Sequence, residues 1–212
     1  MKKYYGGKIY YLFFLVLFVG VVFLTGCGGN GDVNEGNDSP AAEEKNDEEE
    51  KANNDHLSVG DTRETEGGHF TLKGVNYNIE KIDVGPAIVD VMHVKTVSAV
   101  LAGEMKEFFE EDELEYISID MYVENTSGKD IIYFAGQAEI VTDTGEQLSP
   151  DIWMSDHIEG EMREGVKQTG NLVYIMKHSK AQDVNSVRII IDAPLDENWN
   201  TIGEKIDVTV DL

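Results

Sequence analysis

Apolar residues recur at every second position along much of the chain, and this period decides the fold class. In the clearest run, from Ile117 to Val123, four apolar residues alternate with polar ones. Such alternation turns one face of a β-strand towards a core and the other towards water, as in antiparallel sheets. Similar runs are Val75–Ile79, Leu172–Met176, Val187–Ile191 and Ile206–Leu212. Turn-forming residues separate the runs, so the sequence predicts an all-β, antiparallel β-sandwich over residues 58–212.

One stretch, residues 97–114, departs from this period. Its apolar residues are spaced by about three and four positions, as in an amphipathic helix. Two alternatives stay open here, a short helix or an extended excursion between two strands. We expect the acidic residues of 104–113 to form a solvated face while the segment covers an open end of the sandwich. A binding flap is the other interpretation.

The first residues have the layout of an export signal. Lys2, Lys3 and Lys8 precede an apolar run that ends at Leu24 and is followed by small residues. From Ile9 to Leu24 there are 16 residues, fewer than the roughly 20 that span a bilayer comfortably. This length disfavours an uncleaved membrane helix. An ordinary cleaved signal peptide would not need the cysteine that follows.

The tetrapeptide Leu24-Thr25-Gly26-Cys27 resembles the lipobox of bacterial lipoproteins. The resemblance implies that the Cys27 thiol receives a diacylglyceryl group and that a peptidase removes residues 1–26. Cys27 is the only cysteine in the chain, so no intrachain disulfide can form. Because two acyl chains suffice for stable anchoring, we expect a lipid-anchored protein on the outer face of a bacterial cell membrane.

Residues 27–57 are predicted to be a lipidated, disordered tether. Positions 28–57 contain ten acidic residues, two lysines and no aromatic residue, so they cannot bury enough apolar surface to fold. A flexible chain of this length has a root-mean-square span of about 30 Å. The whole chain has a net charge of −24, which repels nucleic acid and anionic headgroups. It suits cations, basic peptides or a cationic polymer, so no nucleic acid partner is expected.

A central block, residues 116–151, is similar to a widespread bacterial family. The family consists of uncharacterised immunoglobulin-like, or telokin-like, domains of Gram-positive lipoproteins and secreted antigens. The resemblance implies an immunoglobulin-like sandwich, exposure in the cell envelope and no established enzymatic activity. The matching positions are Val123-Glu124-Asn125, the turn up to Asp130, Tyr133-Phe134, Asp143-Thr144-Gly145-Glu146, and a second block from Gly165 to Asp192.

Motifs for catalysis are missing from the sequence. It has no nucleophile elbow, no His-Glu-x-x-His motif, no phosphate-binding glycine loop and no calcium-loop spacing. Carboxylate pairs such as Glu110-Glu111 are a weak basis for hydrolysis, because the chain has 41 acidic residues. We therefore expect a protein that is not an enzyme and needs no cofactor.

Two sets of residues are candidates for a binding function. Trp153 lies in a mixed apolar and polar stretch typical of a loop or edge, and aromatic residues anchor interfaces when exposed. The first hypothesis is a domain that binds an envelope protein, peptide or wall polymer through its loops or a sheet edge. The alternative is copper binding by methionine and histidine. For this alternative the sequence predicts that Met176 and His178 share a face near a strand end; the other such groups are Met92-His93 and Met154 with His157 and Met162.

The lipid anchor is directly testable. Growth with a tagged fatty acid is expected to label the wild-type protein, and Cys27→Ser is expected to abolish the label, because the acyl groups need this thiol. In-gel detection after immunoprecipitation measures the result. Wild-type protein without label, or label that survives Cys27→Ser, contradicts the prediction.

Overall fold

Strands make up most of the regular structure in residues 56–212, the residues that the computed structural model describes. The strands are β1 (Thr62–Thr65), β2 (Gly68–Asn76), β3 (Ile82–Asp83), β4 (Ala87–Leu101), β5 (Glu113–Asn125), β6 (Ile131–Tyr133), β7 (Glu139–Thr142), β8 (Gln147–Leu148), β9 (Gly160–Met162), β10 (Lys167–Met176), β11 (Ser186–Ile191) and β12 (Ile206–Asp211). The helical elements are α1 (Gly103–Phe109) and two 3-10 turns, Ala135–Gln137 and Ala181–Asp183.

The strands form two larger antiparallel sheets and one small one. The first sheet has the order β1-β2-β4-β5-β10, with β3 also paired to β4. The second has the order β12-β11-β7-β8, and β6 pairs with β9. In immunoglobulin domains one sheet has the strand order G, F, C, in which G and F are the last two strands of the chain. Strands β12, β11 and β7 have the corresponding order here. The antiparallel β-sandwich is confirmed. This strand order favours the immunoglobulin-like topology, which stays a prediction.

The inner faces of the two larger sheets meet in one hydrophobic core. Burying a large aliphatic side chain fully contributes about 1.5–3 kcal/mol, so these faces supply much of the stability. The alternation in the sequence correctly indicates which side of each central strand is inside. The innermost residues are Ile117, Ile119, Met121 and Val123 of β5, Ile140 of β7, Leu172 and Tyr174 of β10, and Val187, Ile189 and Ile191 of β11.

The early strands differ from the prediction in position. β2 ends at Asn76, so the strand predicted over Val75–Ile79 is wrong beyond that residue. The Asn76 carboxamide oxygen accepts a hydrogen bond from the Asn78 backbone N–H at 2.7 Å. Its amide donates to the Asp211 carbonyl at 2.6 Å. The local bond to Asn78 offers the backbone an alternative to the sheet and ends the strand, while the bond to Asp211 ties this point to β12.

Residues 97–114 contain a short helix, the first of the two alternatives left open by the sequence, but it is shorter than the segment. β4 continues to Leu101, α1 has seven residues, and β5 begins at Glu113. Leu114 lies an odd number of residues from the inward-facing Ile117, so it faces the outer side of the first sheet. The helix therefore covers this outer face. The prediction that the segment covers an open end of the sandwich is wrong. The contacts join Met105 and Phe109 to Ala99, Leu101 and Leu114.

Asn125 ends β5 and fastens it to neighbouring loops. Its side-chain oxygen accepts the Ser127 backbone N–H at 3.0 Å, a bond two residues ahead that is typical of an Asx turn. Its amide group lies 2.6–3.1 Å from three backbone carbonyls, those of Lys129, Met162 and Arg163. With only 1% of its surface exposed, Asn125 acts as a buried polar connection between three segments.

Glu146 makes a similar connection from the turn between β7 and β8. Gly145 has a φ of +93°, as the turn prediction requires, and places the Glu146 carboxylate beside the end of β10. The carboxylate accepts the backbone N–H groups of Lys177, His178 and Ser179 at 2.9, 3.2 and 2.6 Å. Burial alone would raise the pKa of Glu146, but these donors hold it below its ordinary value.

The amino-terminal predictions lie outside the described residues. These are the lipobox Leu24-Thr25-Gly26, the acylation site Cys27 and all of the tether except His56 and Leu57. Within residues 56–212, no helix is both long and apolar enough to span a bilayer.

Replacing Glu146 by Gln tests the connection to β10. The substitution keeps the shape and removes the charge, so we expect a loss of about 1.5–3 kcal/mol in unfolding free energy at pH 7, from charge-assisted hydrogen bonds. The lowered folded-state pKa means that this stabilisation is complete above the unfolded value of about 4.3 and is lost as pH falls through the folded value. Chemical denaturation at pH 7 and pH 3 measures both effects.

The exposed Glu164→Gln is the matched control and is expected to change stability by less than about 0.5 kcal/mol. A difference between wild type and Glu146→Gln that stays constant from pH 7 to pH 3 contradicts the assignment.

Candidate binding site

Three segments meet where the connection between β11 and β12 runs against strand β6 and against the residues that follow β3. The backbone N–H and C=O groups of Ile132 pair with those of Leu195, both at 2.8 Å. The Glu204 N–H donates to the Val84 carbonyl at 2.9 Å. Gly203 permits this approach, because a Cβ atom there would lie 2.3 Å from the Val84 carbonyl oxygen. The long connection between β11 and β12 is thus fixed to two other segments.

The tip of this connection is a tight hairpin from Asp196 to Asn200. Asp196 N–H donates to the Asn200 carbonyl at 2.9 Å, and Trp199 N–H donates to the Asp196 carbonyl at 2.9 Å. The Asp196 carboxylate accepts the N–H groups of Asn198 and Asn200 at 2.9 and 2.8 Å. The Asn200 side chain and these N–H groups hold the pKa of Asp196 below its ordinary value. These bonds fix the conformation of the tip, and the Asp196 carboxyl is ionised.

Trp199 occupies a position in this hairpin where glycine is the usual residue. Its φ is +65°, and three-residue hairpin loops place a left-handed residue, ordinarily Gly, at this point. A left-handed conformation costs an L-residue roughly 1–2 kcal/mol. Nevertheless 66% of the Trp199 surface is exposed, so burial of its own ring in the core does not offset the strain.

Phe134 supports the exposed indole from a second loop. The two rings are stacked, with centroids 6.3 Å apart and planes inclined by 25°. Ile202, three residues after Trp199 in the chain, is 40% exposed. It helps to line a shallow cleft that begins at the base of the hairpin, where Thr201 pairs with Leu195. We call Phe134, Trp199 and this cleft the Trp199 surface. The cleft is lined by Asp83, Val84, Gly85, Thr201, Ile202, Gly203 and Glu204.

The charge around the Trp199 surface is negative. Asp83 and Glu204 line the cleft, and Asp196 and Glu197 belong to the hairpin. Lys205 follows Glu204 and adds one positive charge beside the cleft, so the carboxylates named here still outnumber it. An aromatic platform with acidic surroundings has the chemistry to bind a ligand.

Trp153, the aromatic residue singled out from the sequence, is indeed exposed, at 73%. It lies in a turn capped by Asp151, whose carboxylate accepts the Trp153 N–H at 2.9 Å. The following residues run beside the outer edge of β10, where the Asp156 N–H donates to the Asn171 carbonyl at 2.8 Å. Trp153 is thus at a sheet edge and belongs to a different segment from Trp199.

Met176 and His178 do not share a strand face, which corrects the prediction. β10 ends at Met176, whose side chain is only 6% exposed and belongs to the core. His178 lies beyond the strand end and is exposed. Among residues 56–212 there is also no group of three or more His, Cys, Asp or Glu side chains suited to hold a metal ion. The copper alternative gains no support from this arrangement.

The sequence analysis did not single out Trp199 or Phe134 as candidate binding residues. In the sequence, Phe134 belongs only to the Tyr133-Phe134 pair of the family motif, and Tyr133 is buried. The available signal was the cluster of turn-forming residues around Trp199, since Asp196, Asn198 and Asn200 are typical of Asx turns. Nothing in the pattern of spacing shows that two loops so distant in sequence stack their rings.

Comparisons with known proteins support the lipoprotein interpretation. No family model matches the chain. The chain is 27% identical over 156 residues to the SPbeta prophage-derived uncharacterized lipoprotein YonS of Bacillus subtilis strain 168, covering 73% of this chain and 71% of YonS. This similarity is consistent with a lipid-anchored envelope protein.

A solved structure shares the fold. A functionally unknown protein from Listeria monocytogenes EGD-e aligns with a TM-score of 0.53 and 15% identity, covering 69% of this chain and 88% of that protein. A conserved hypothetical protein from Bacillus anthracis aligns over 61% of this chain and 95% of its own length at 16% identity, with a TM-score of 0.40. The likeness to bacterial lipoproteins is confirmed, while the immunoglobulin-like assignment stays a prediction.

Two substitutions at position 199 separate strain from stacking. Trp199→Ala keeps the strained φ and loses the ring pair, so it is expected to destabilise the protein by about 0.5–1.5 kcal/mol. Trp199→Gly also relieves the strain, and its change in unfolding free energy is expected to stay within about 1 kcal/mol of wild type. Chemical denaturation of both variants checks this; a Gly variant less stable than the Ala variant contradicts the assigned strain.

Proposed function

We propose that this protein is a non-enzymatic binding protein of the bacterial cell envelope. Its lipid anchor at Cys27 would hold it on the outer face of the membrane of a Gram-positive cell. The acidic tether would keep the β-sandwich away from the lipid, and the Trp199 surface would contact an extracytoplasmic partner. The lipobox and the similarity to YonS support the anchor.

The observation that carries the binding role is the strained, exposed tryptophan. Strain at an exposed residue persists only where surrounding structure enforces it, and such residues cluster at functional sites. Here the Asp196 carboxylate and the Leu195 pairing enforce it. A glycine would fit the hairpin with less strain, so the large ring serves something other than the stability of the hairpin. Tryptophan is also among the residues that dominate binding energies at protein interfaces.

The sandwich provides a rigid support for this surface. Phe134 follows β6, which pairs with β9, and the hairpin connects β11 and β12 in the second sheet. Preorganised aromatic residues lose little conformational entropy on binding. A partner would therefore meet a ring pair already in its bound arrangement, and not a disordered loop.

In-cell cross-linking tests the proposal with the full-length, lipidated protein. A photo-reactive residue replaces Asn198 at the hairpin tip, and the cross-linked products are quantified by immunoblot and mass spectrometry. The Trp199→Gly change is expected to reduce the specific product at least tenfold, since interface tryptophans are often worth about 2 kcal/mol or more.

The matched control is Trp153→Gly, which removes the other exposed tryptophan and is expected to leave the product unchanged. Equal yields from wild type and Trp199→Gly contradict the proposal. A loss caused by Trp153→Gly alone moves the binding role to the edge of β10.

A further inference from the structure

We propose that the Trp199 surface binds a lysine- or arginine-containing segment of an extracytoplasmic protein. One cationic side chain of this segment lies over the indole, and the residues beside it in the segment contact the acidic cleft. The inference rests on the proposed function and adds the chemical class of the partner.

The indole has the geometry that cation–π recognition needs. Tryptophan is the best of the aromatic residues for attracting Lys and Arg side chains to its ring face. In this hairpin Phe134 stacks on the Trp199 ring, and 66% of the tryptophan stays open to solvent. A cation can thus reach the indole without displacing any part of the fold.

The carboxylates of the cleft select for positive charge. Asp83 and Glu204 come from two segments that Gly203 brings together, and both line the cleft beside Ile202. The hairpin adds Asp196 and Glu197. A polypeptide segment carrying more than one basic residue can place one cation on the ring and another beside Asp83 or Glu204.

Charge also decides against other classes of partner. The chain has 41 acidic and 17 basic residues, so an anionic polymer such as a phosphate-rich wall polymer would be repelled. A neutral glycan has no charge that the Asp83 and Glu204 carboxylates could attract. A basic protein segment uses both the ring and the carboxylates, which is why these observations favour it.

Fluorescence can follow a single ring, because the chain has only two tryptophans. Full-length Trp153→Phe protein in phosphatidylcholine vesicles leaves Trp199 as the sole indole. Titration with a lysine–glycine peptide is expected to change its emission saturably, with weaker binding at higher salt. A glutamate–glycine peptide and an N-acetylglucosamine oligomer are expected to leave the emission unchanged.

Two pairs of charge variants distinguish a site from general attraction. The double variant Asp83→Asn with Glu204→Gln is expected to raise the dissociation constant of the lysine peptide by about three- to tenfold. This is the range expected for the loss of two partly exposed ion pairs. Glu107→Gln with Glu111→Gln removes the same charge from helix α1 and its following turn. This control is expected to change the dissociation constant by less than about twofold, since charges farther apart than the Debye length are screened.

Equal weakening by both pairs overturns the inference, because general attraction would explain it. So does a response to the glycan or to the glutamate peptide as strong as that to the lysine peptide. Neither result touches the proposed function, which stands or falls with the loss of the cross-linked product in Trp199→Gly cells.

Discussion

The contact between the inner faces of the two larger sheets is the constraint on which the rest of the structure depends. Strand β5 is central to it, because its inward residues from Ile117 to Val123 are fully buried while its outward residues from Tyr116 to Glu124 carry polar groups. Burial at this interface fixes the register of β4, β5 and β10, since a slip of one residue would turn the apolar side chains to water. Only a framework fixed in this way can hold distant loops in contact.

Side-chain connections extend that order from the sheets into the loops. Asn125 joins the end of β5 to the segments at Lys129 and Met162, and Glu146 joins one turn to the end of β10. Gly203 brings the last long connection against Val84. Buried polar groups must be satisfied, so each of these residues specifies one arrangement of its neighbours.

The sequence predicted the fold class well and the proposed binding surface poorly, for a physical reason. Alternation reports which face of a strand is buried, so the strands around Ile117 and Ile189 follow from it. It does not report where local bonds end a strand, as at Asn76, or how far a helix extends, as at α1. The stacking of Trp199 on Phe134 depends on the meeting of two loops 65 residues apart in sequence, which no local pattern encodes.

The segment that runs along β10 has a consequence for how copies of the protein behave beside one another. Its backbone and the side chains of Ser155 and Asp156 occupy the hydrogen-bonding groups of Asn171 and Val173. An open strand edge is a template for the strand of another molecule and so for aggregation. Proteins confined to a membrane surface meet at high local concentration, where such templating would be most damaging. By closing this edge with its own chain, the domain removes β10 as a template for the strands of neighbouring copies.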